Sequence, residues 1–225
     1  MAALKKRYYP KIAEEVYLAT LDNGMSLSII KKKGFIEKAA FLSTNFGALD
    51  NRFYIDGKLQ TYPAGIAHFL EHKLFEDDQG RDVTLDFVKL GADVNAFTTL
   101  DRTTYYFSTI DHFEESLELL LKFTSEFTSS EDTVNHEKRI IEQEINMYQD
   151  DPDYRVYLGC LQSLYPNTIL GQDIAGSIDS IKKITTKDLK NNFDYFYRPE
   201  NCHLVLIGNF CLLYTSPSPR DMRRS

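Results

Sequence analysis

Two histidines and a glutamate fall within five residues at His68-Phe69-Leu70-Glu71-His72. A helix advances about 100° per residue, so His72 lies about 40° and Glu71 about 60° from His68, on opposite sides, and all three share one face. Two imidazoles one turn apart make a zinc-binding pair, and a carboxylate beside them can serve as general base toward an attacking water. A lone histidine is more often a residue satisfied by ordinary hydrogen bonds. The chain has only 5 histidines in 225 residues, so it is the spacing that carries the metal reading.

Two histidines leave a catalytic zinc one protein ligand short, because such sites take three protein ligands and keep a fourth position open. A distant carboxylate or imidazole is required. The helix expected over Thr133–Tyr148 offers Glu137, Glu142 and Glu144. Glu137 and Glu144, seven residues apart, differ by about 20° in helical phase, whereas Glu142 points about 140° from Glu137. Ile141 and Tyr148 lie near the stripe of Glu137 and Glu144, which draws these two carboxylates toward the packed side, where charge needs a partner such as a cation. The competing reading is of exposed helix charges.

These groups need elements to hold them. Val16–Thr20 and Met25–Lys31 alternate as strands around Leu21-Asp22-Asn23-Gly24, whose Asn-Gly pair is a strong hairpin signal. Lys38–Asn45 reads as a third strand, and the polar stretch Leu49–Thr61 as a loop. Ile66–Phe75, entered through Pro63 and Gly65, and Val83–Leu90, stopped by Gly91, have helical period. Asp93–Thr99 and Thr103–Thr109 form a second hairpin. Phe113–Phe127, Thr133–Tyr148, Tyr154–Leu164, Ser177–Ile184 and Thr186–Tyr197 are expected helices, and His203–Ile207 a final buried strand. Hairpins mixed with helices, without regular βαβ alternation, predict an α+β fold: a mainly antiparallel β-sheet with helices packed on it.

Composition is that of a folded domain, 43% hydrophobic and 26% charged. With 26 Lys and Arg against 33 Asp and Glu the net charge is −7, which argues against nucleic acid as a partner. Cys160, Cys202 and Cys211 have neither the parity nor the spacing of a disulfide framework or a cysteine zinc site, which predicts a reducing, cytoplasmic setting. No stretch approaches the roughly 20 apolar residues of a membrane helix, and none behind Lys5, Lys6 and Arg7 has signal-peptide character, so no membrane association is expected.

The last fifteen residues, 211–225 (CLLYTSPSPRDMRRS), break the pattern. Their first eleven are what results from translating a sequence that resembles a transposase sequencing-library adapter. The run is therefore expected to be a disordered artefact, with the natural protein interrupted near Phe210. It holds Arg220, Arg223 and Arg224 against Asp221, so the rest of the chain carries −9.

Four landmarks stand in order: Gly65-Ile-Ala-His-Phe-Leu-Glu-His72, Gly91-Ala-Asp-Val-Asn-Ala-Phe-Thr98, Glu137-Lys-Arg-Ile-Ile-Glu-Gln-Glu144, and Tyr197-Arg-Pro-Glu-Asn201 leading into His203–Gly208. Together they resemble the pitrilysin, insulysin and mitochondrial processing peptidase group of inverted-motif zinc peptidases, the inverzincins. The likeness runs from about Val16 to Phe210. It is strongest to bacterial two-domain members.

The resemblance implies a Zn2+ ion on His68, His72 and Glu144. It makes Glu71 the base that takes a proton from the attacking water and passes it to the leaving amine, and Glu137 the carboxylate that orients a ligand. The interval from His72 to Glu144 is slightly shorter than in better-known members, so Glu144 rests partly on helical phase. Val94-Asn95-Ala96-Phe97-Thr98 matches the family's substrate-binding edge strand, to which a peptide adds as a further strand, with Asn95, Ala96 and Phe97 as the binding residues; for Asn95 a plain turn or strand-end role competes. Residues 1–210 would then be an N-terminal zinc peptidase domain, truncated, whose missing C-terminal domain or homologous partner chain helps to grip the peptide. The rival expectations are a non-catalytic scaffold or partner subunit that keeps the fold, and a zinc enzyme acting on another hydrolysable bond.

Overall fold

The structure is a computed structural model that describes residues 4–77 and 79–211. Across the Asn23-Gly24 turn, where Gly24 takes a left-handed φ of 90°, β2 (Glu14–Thr20) and β3 (Ser26–Lys31) pair antiparallel. An N-terminal strand, β1 (Lys5–Tyr9), extends this hairpin along β2. Further on come β4 (Lys38–Thr44), then β7 (Asp93–Thr98) and β8 (Thr103–Thr109), which form the second hairpin. The last strand, β9 (Cys202–Gly208), enters the middle of the sheet parallel to β3 and antiparallel to β4. The resulting seven-stranded order is β1-β2-β3-β9-β4-β8-β7, antiparallel except at β3–β9, and it leaves β7 at an edge.

Leu49–Thr61 is not the loop expected from its polarity. It holds a separate antiparallel hairpin, β5 (Arg52–Ile55) and β6 (Lys58–Thr61), turned through Asp56-Gly57 with both residues at positive φ. Asp-Gly is itself a hairpin signal, and Phe53 earns its place by stacking on Tyr62 and Tyr195. The expected helix Ser177–Ile184 is helical only over Ile178–Ile181.

The helices are α1 (Ile66–Leu74), α2 (Thr84–Lys89), α3 (Phe113–Ser125), α4 (Glu131–Gln149), α5 (Pro152–Leu164), α6 (Ile178–Ile181) and α7 (Thr186–Phe196). Because strand side chains alternate between faces, Ala40 and Leu42 of β4 and Tyr105 and Phe107 of β8 point into one core with Phe69 and Leu70 of α1, Leu120 of α3 and Ile141 of α4. On the opposite sheet face Phe41 stacks on Tyr106 at 5.2 Å. Ser130 caps α4 by accepting from the backbone N–H of Thr133, which fixes where that helix starts and hence the phase of its glutamates.

Gly65 places α1. It sits at φ 88°, and a Cβ there would lie 2.3 Å from the Ala175 carbonyl oxygen. Gly176 makes the reciprocal close approach to the carbonyl of Ala64, which also accepts from the Ser180 hydroxyl at 2.8 Å. The start of α1 and the segment around Ala175 are thus in backbone contact, and only glycine permits it. Among the described residues no helix is long and apolar enough to cross a membrane. Of residues 211–225, only Cys211 lies within the described residues.

Replacing Gly65 by Ala is expected to cost about 3 kcal/mol or more, from the positive φ together with the clash. Gly34→Ala, also at positive φ but with open space around it, should cost only about 1–2 kcal/mol. Urea denaturation of the two variants measures the difference, and equal midpoints would contradict the packing described.

Candidate metal centre

The face predicted for α1 forms as expected. His68 and His72 stand one turn apart with ring centroids 4.6 Å from each other. α4 crosses α1 so that Ile141 is fully buried and the stripe of Glu137 and Glu144 faces the two imidazoles. Glu144 Oε1 lies 3.7 Å from His68 Nε2, and its Oε2 lies 3.4 Å from His72 Nε2. His68, His72 and Glu144 each offer a ligand atom, and these atoms lie within 4.8 Å of one another. Glu137 Oε1 accepts from His72 Nδ1 at 2.9 Å. Glu142, off the stripe, faces Lys182 at 3.8 Å instead.

Glu71 is only 8% exposed. Its Oε2 accepts a hydrogen bond from the hydroxyl of Thr98 at the end of β7. The sequence places Thr98 only in the matching edge-strand segment, with no role toward Glu71. Its signal was strand alternation: Val94, Ala96 and Thr98 share the face that meets the helices, while Asn95 and Phe97 share the other. Phe97 accordingly lies against Tyr106 on the outer sheet face, centroids 6.1 Å apart, rather than over the imidazoles. Asn95 is exposed and accepts the N–H of Ala96. A cleft of about 390 Å3 runs from His68, Glu71 and Glu144 past β7 to Tyr148 and Tyr154.

The titration behaviour follows from burial and charge. Burial and the neighbouring His72 pull His68 down to about 4, so its ring is neutral at ordinary pH. Burial also opposes a charged His72, but the carboxylates of Glu137 and Glu144 outweigh it and push His72 up to about 10. Burial raises the Glu71 carboxyl, with the Thr98 hydroxyl working against the rise. The bond from His72 holds Glu144 below the usual carboxylate range, against burial.

The residues fit a metal ion. The neutral ring of His68 has Nδ1 buried with no hydrogen-bond partner among the described residues, and its Nε2 stops short of hydrogen-bonding distance to Glu144. The Nε2 lone pair, turned toward Glu144 without a hydrogen bond, is the one a cation between them would take. Two imidazoles and one carboxylate form a donor set suited to zinc.

Comparisons with known proteins find relatives over most of the chain. The sequence profile of the insulinase family, peptidase family M16, matches residues 60–177. A protein of Bacillus subtilis described as the uncharacterized zinc protease YmfH is 43% identical over 207 residues, covering 91% of this chain and 48% of its own length. The crystal structure of an M16-like peptidase from Alicyclobacillus acidocaldarius has 37% identity and a TM-score of 0.84, covering 89% of this chain and 47% of that one. An M16 inactive domain from Pseudomonas fluorescens shares the fold at a TM-score of 0.72 and 20% identity, over 87% of this chain and 47% of that one. The chain thus spans about half the length of the relatives it matches.

In the metal-free protein, nuclear magnetic resonance of the imidazoles should show His72 titrating near 10 and His68 near 4. Glu137→Gln removes a carboxylate that stabilises the imidazolium, so the His72 value should fall by about one unit or more. An unchanged value would mean that Glu137 does not hold this ring.

Proposed function

Since the chain belongs to the insulinase family of peptidases, M16, we propose that residues 1–210 form the zinc-holding domain of a metalloendopeptidase that hydrolyses peptides or small proteins. The observation that carries this reading is the meeting of His68 and His72 with Glu144 from another helix, beside a buried glutamate. His68, His72 and Glu144 hold the ion. Zinc bound there supplies Lewis acidity toward a water and toward a peptide carbonyl.

The chain's own residues do the rest. Glu71 takes the proton of the attacking water and hands it to the leaving amine. Glu137, by accepting from Nδ1 of His72, fixes the tautomer that turns Nε2 toward the ion. Among the described residues β7 pairs only with β8, so its outer edge offers main-chain groups to an extended peptide beside the cleft. On this reading Asn95, Ala96 and Phe97 bind substrate chiefly through the backbone, which makes sequence preference broad.

The relatives' other half is proposed to complete the grip on substrate, as a further domain or as a partner chain. This chain alone then binds zinc with little or no peptidase activity. A non-catalytic subunit would share the fold, as the Pseudomonas fluorescens domain does, but the retained set of His68, Glu71, His72, Glu137 and Glu144 favours an enzyme.

The test is zinc-dependent cleavage of a peptide library by the protein extended to the length of its relatives, with Glu71→Gln slower by about 10²–10⁴-fold. Absence of cleavage by the zinc-loaded, extended protein would overturn the peptidase reading. Cleavage by the present chain, abolished in Glu71→Gln, would overturn the need for a second half.

Zinc uptake is also expected to depend on pH in a defined direction. His72 is protonated below about 10 in the metal-free state and must lose that proton to bind, whereas His68 is already neutral above about 4. Uptake at neutral pH should therefore release about one proton, and affinity should rise about tenfold per pH unit until His72 deprotonates. Calorimetry in buffers of different ionisation enthalpy measures the proton count. Release of none would contradict a protonated His72 in the metal-free state.

A further inference from the structure

Near Glu71 lies a group of hydroxyls that the proposed chemistry does not yet use. The hydroxyls of Tyr105 and Tyr197 are 2.8 Å apart, and Thr103 donates to the Phe46 carbonyl at 2.8 Å. Thr103 is the register partner of Thr98 across β7 and β8, and their hydroxyl oxygens are 3.3 Å apart.

Each hydroxyl has one proton to give. The Phe46 carbonyl can only accept, so the Thr103 proton is directed there. An ionised Glu71 can only accept, so the Thr98 proton is directed to Oε2. Thr103 then has no proton for Thr98, and among the described residues the Glu71 carboxylate receives this one hydrogen bond. The bond holds Oε2 and occupies one of its two lone pairs, while both lone pairs of Oε1 stay free.

We propose that Thr98 is a positioning residue for proton transfer: its hydroxyl pins Oε2 of Glu71, so that Oε1 is the atom that takes and returns the proton. The inference rests on the reading of Glu71 as the base. It also ties two parts of the site together, because Thr98 ends β7, the edge strand proposed to receive the peptide. The strand that lays out the substrate thereby also sets the aim of the base.

Thr98→Val keeps the side-chain shape and removes the donor, whereas Thr98→Ser keeps the donor. In crystals of the zinc-free chain, Glu71 should turn away from its present orientation in the Val variant and retain it in the Ser variant. An unmoved Glu71 in Thr98→Val overturns the proposal. In the zinc-loaded, extended protein, Thr98→Val should lower kcat about tenfold with KM within about twofold, and Thr98→Ser should restore most of the rate. Zinc affinity should be the same in all three proteins. Equal losses in both variants, or a loss that follows zinc content, overturn the proposal. An extended protein that binds no zinc or cleaves no peptide overturns the zinc-peptidase reading instead, and the crystals then decide the role of Thr98 alone.

Discussion

Three carboxylates and two imidazoles share a half-buried space between α1 and α4, and the rest of the molecule is arranged around that concentration of charge. Glu71, Glu137 and Glu144 are each partly or wholly removed from water, where an uncompensated carboxylate is costly. In the metal-free state the proton on His72 supplies one compensating charge, held by Glu137 on one nitrogen and Glu144 on the other. A divalent cation answers the same requirement with more charge. It also gives a use to His68, whose neutral ring is within 3.7 Å of Glu144 through Nε2 and has no hydrogen bond there among the described residues.

Holding that cluster requires two helices to be fixed relative to each other and to the sheet. The contact of Gly65 with Ala175 anchors the start of α1. Ile141, fully buried, anchors α4 midway between Glu137 and Glu144. The fully buried side chain of Lys73, paired with Glu76, adds a polar tie at the end of α1. The edge strand β7 completes the site by bringing Thr98 to Glu71. Apolar packing thus sets the positions, and the hydrogen bonds set the orientations of groups already brought near.

Helical phase made much of this legible before any coordinates. His68, Glu71 and His72 depend on spacing within one turn, and Glu137 with Glu144 on spacing across two, so both patterns survive as local regularities. The Asn23-Gly24 hairpin and the edge hairpin of β7 and β8 were readable for the same reason. What escaped depended on partners remote in the chain. β1 reads KKRYY and has no inward face of its own, so only its pairing with β2 makes it a strand. The polar hairpin at Asp56-Gly57 takes its apolar contacts from Tyr195 and Phe196, far along the chain. The insertion of β9 between β3 and β4 likewise has no local signature. Thr98 lies 27 residues from Glu71, and only the register of β7 beside α1 reveals the bond.

The direct test of the central claim is anomalous diffraction at the zinc absorption edge from crystals grown with zinc. The account predicts one peak between α1 and α4, with a nitrogen of His68, a nitrogen of His72 and a carboxylate oxygen of Glu144 each about 2.0–2.2 Å from it. A peak on other residues, or full zinc occupancy with the Glu144 carboxylate turned away from both imidazoles, would contradict it.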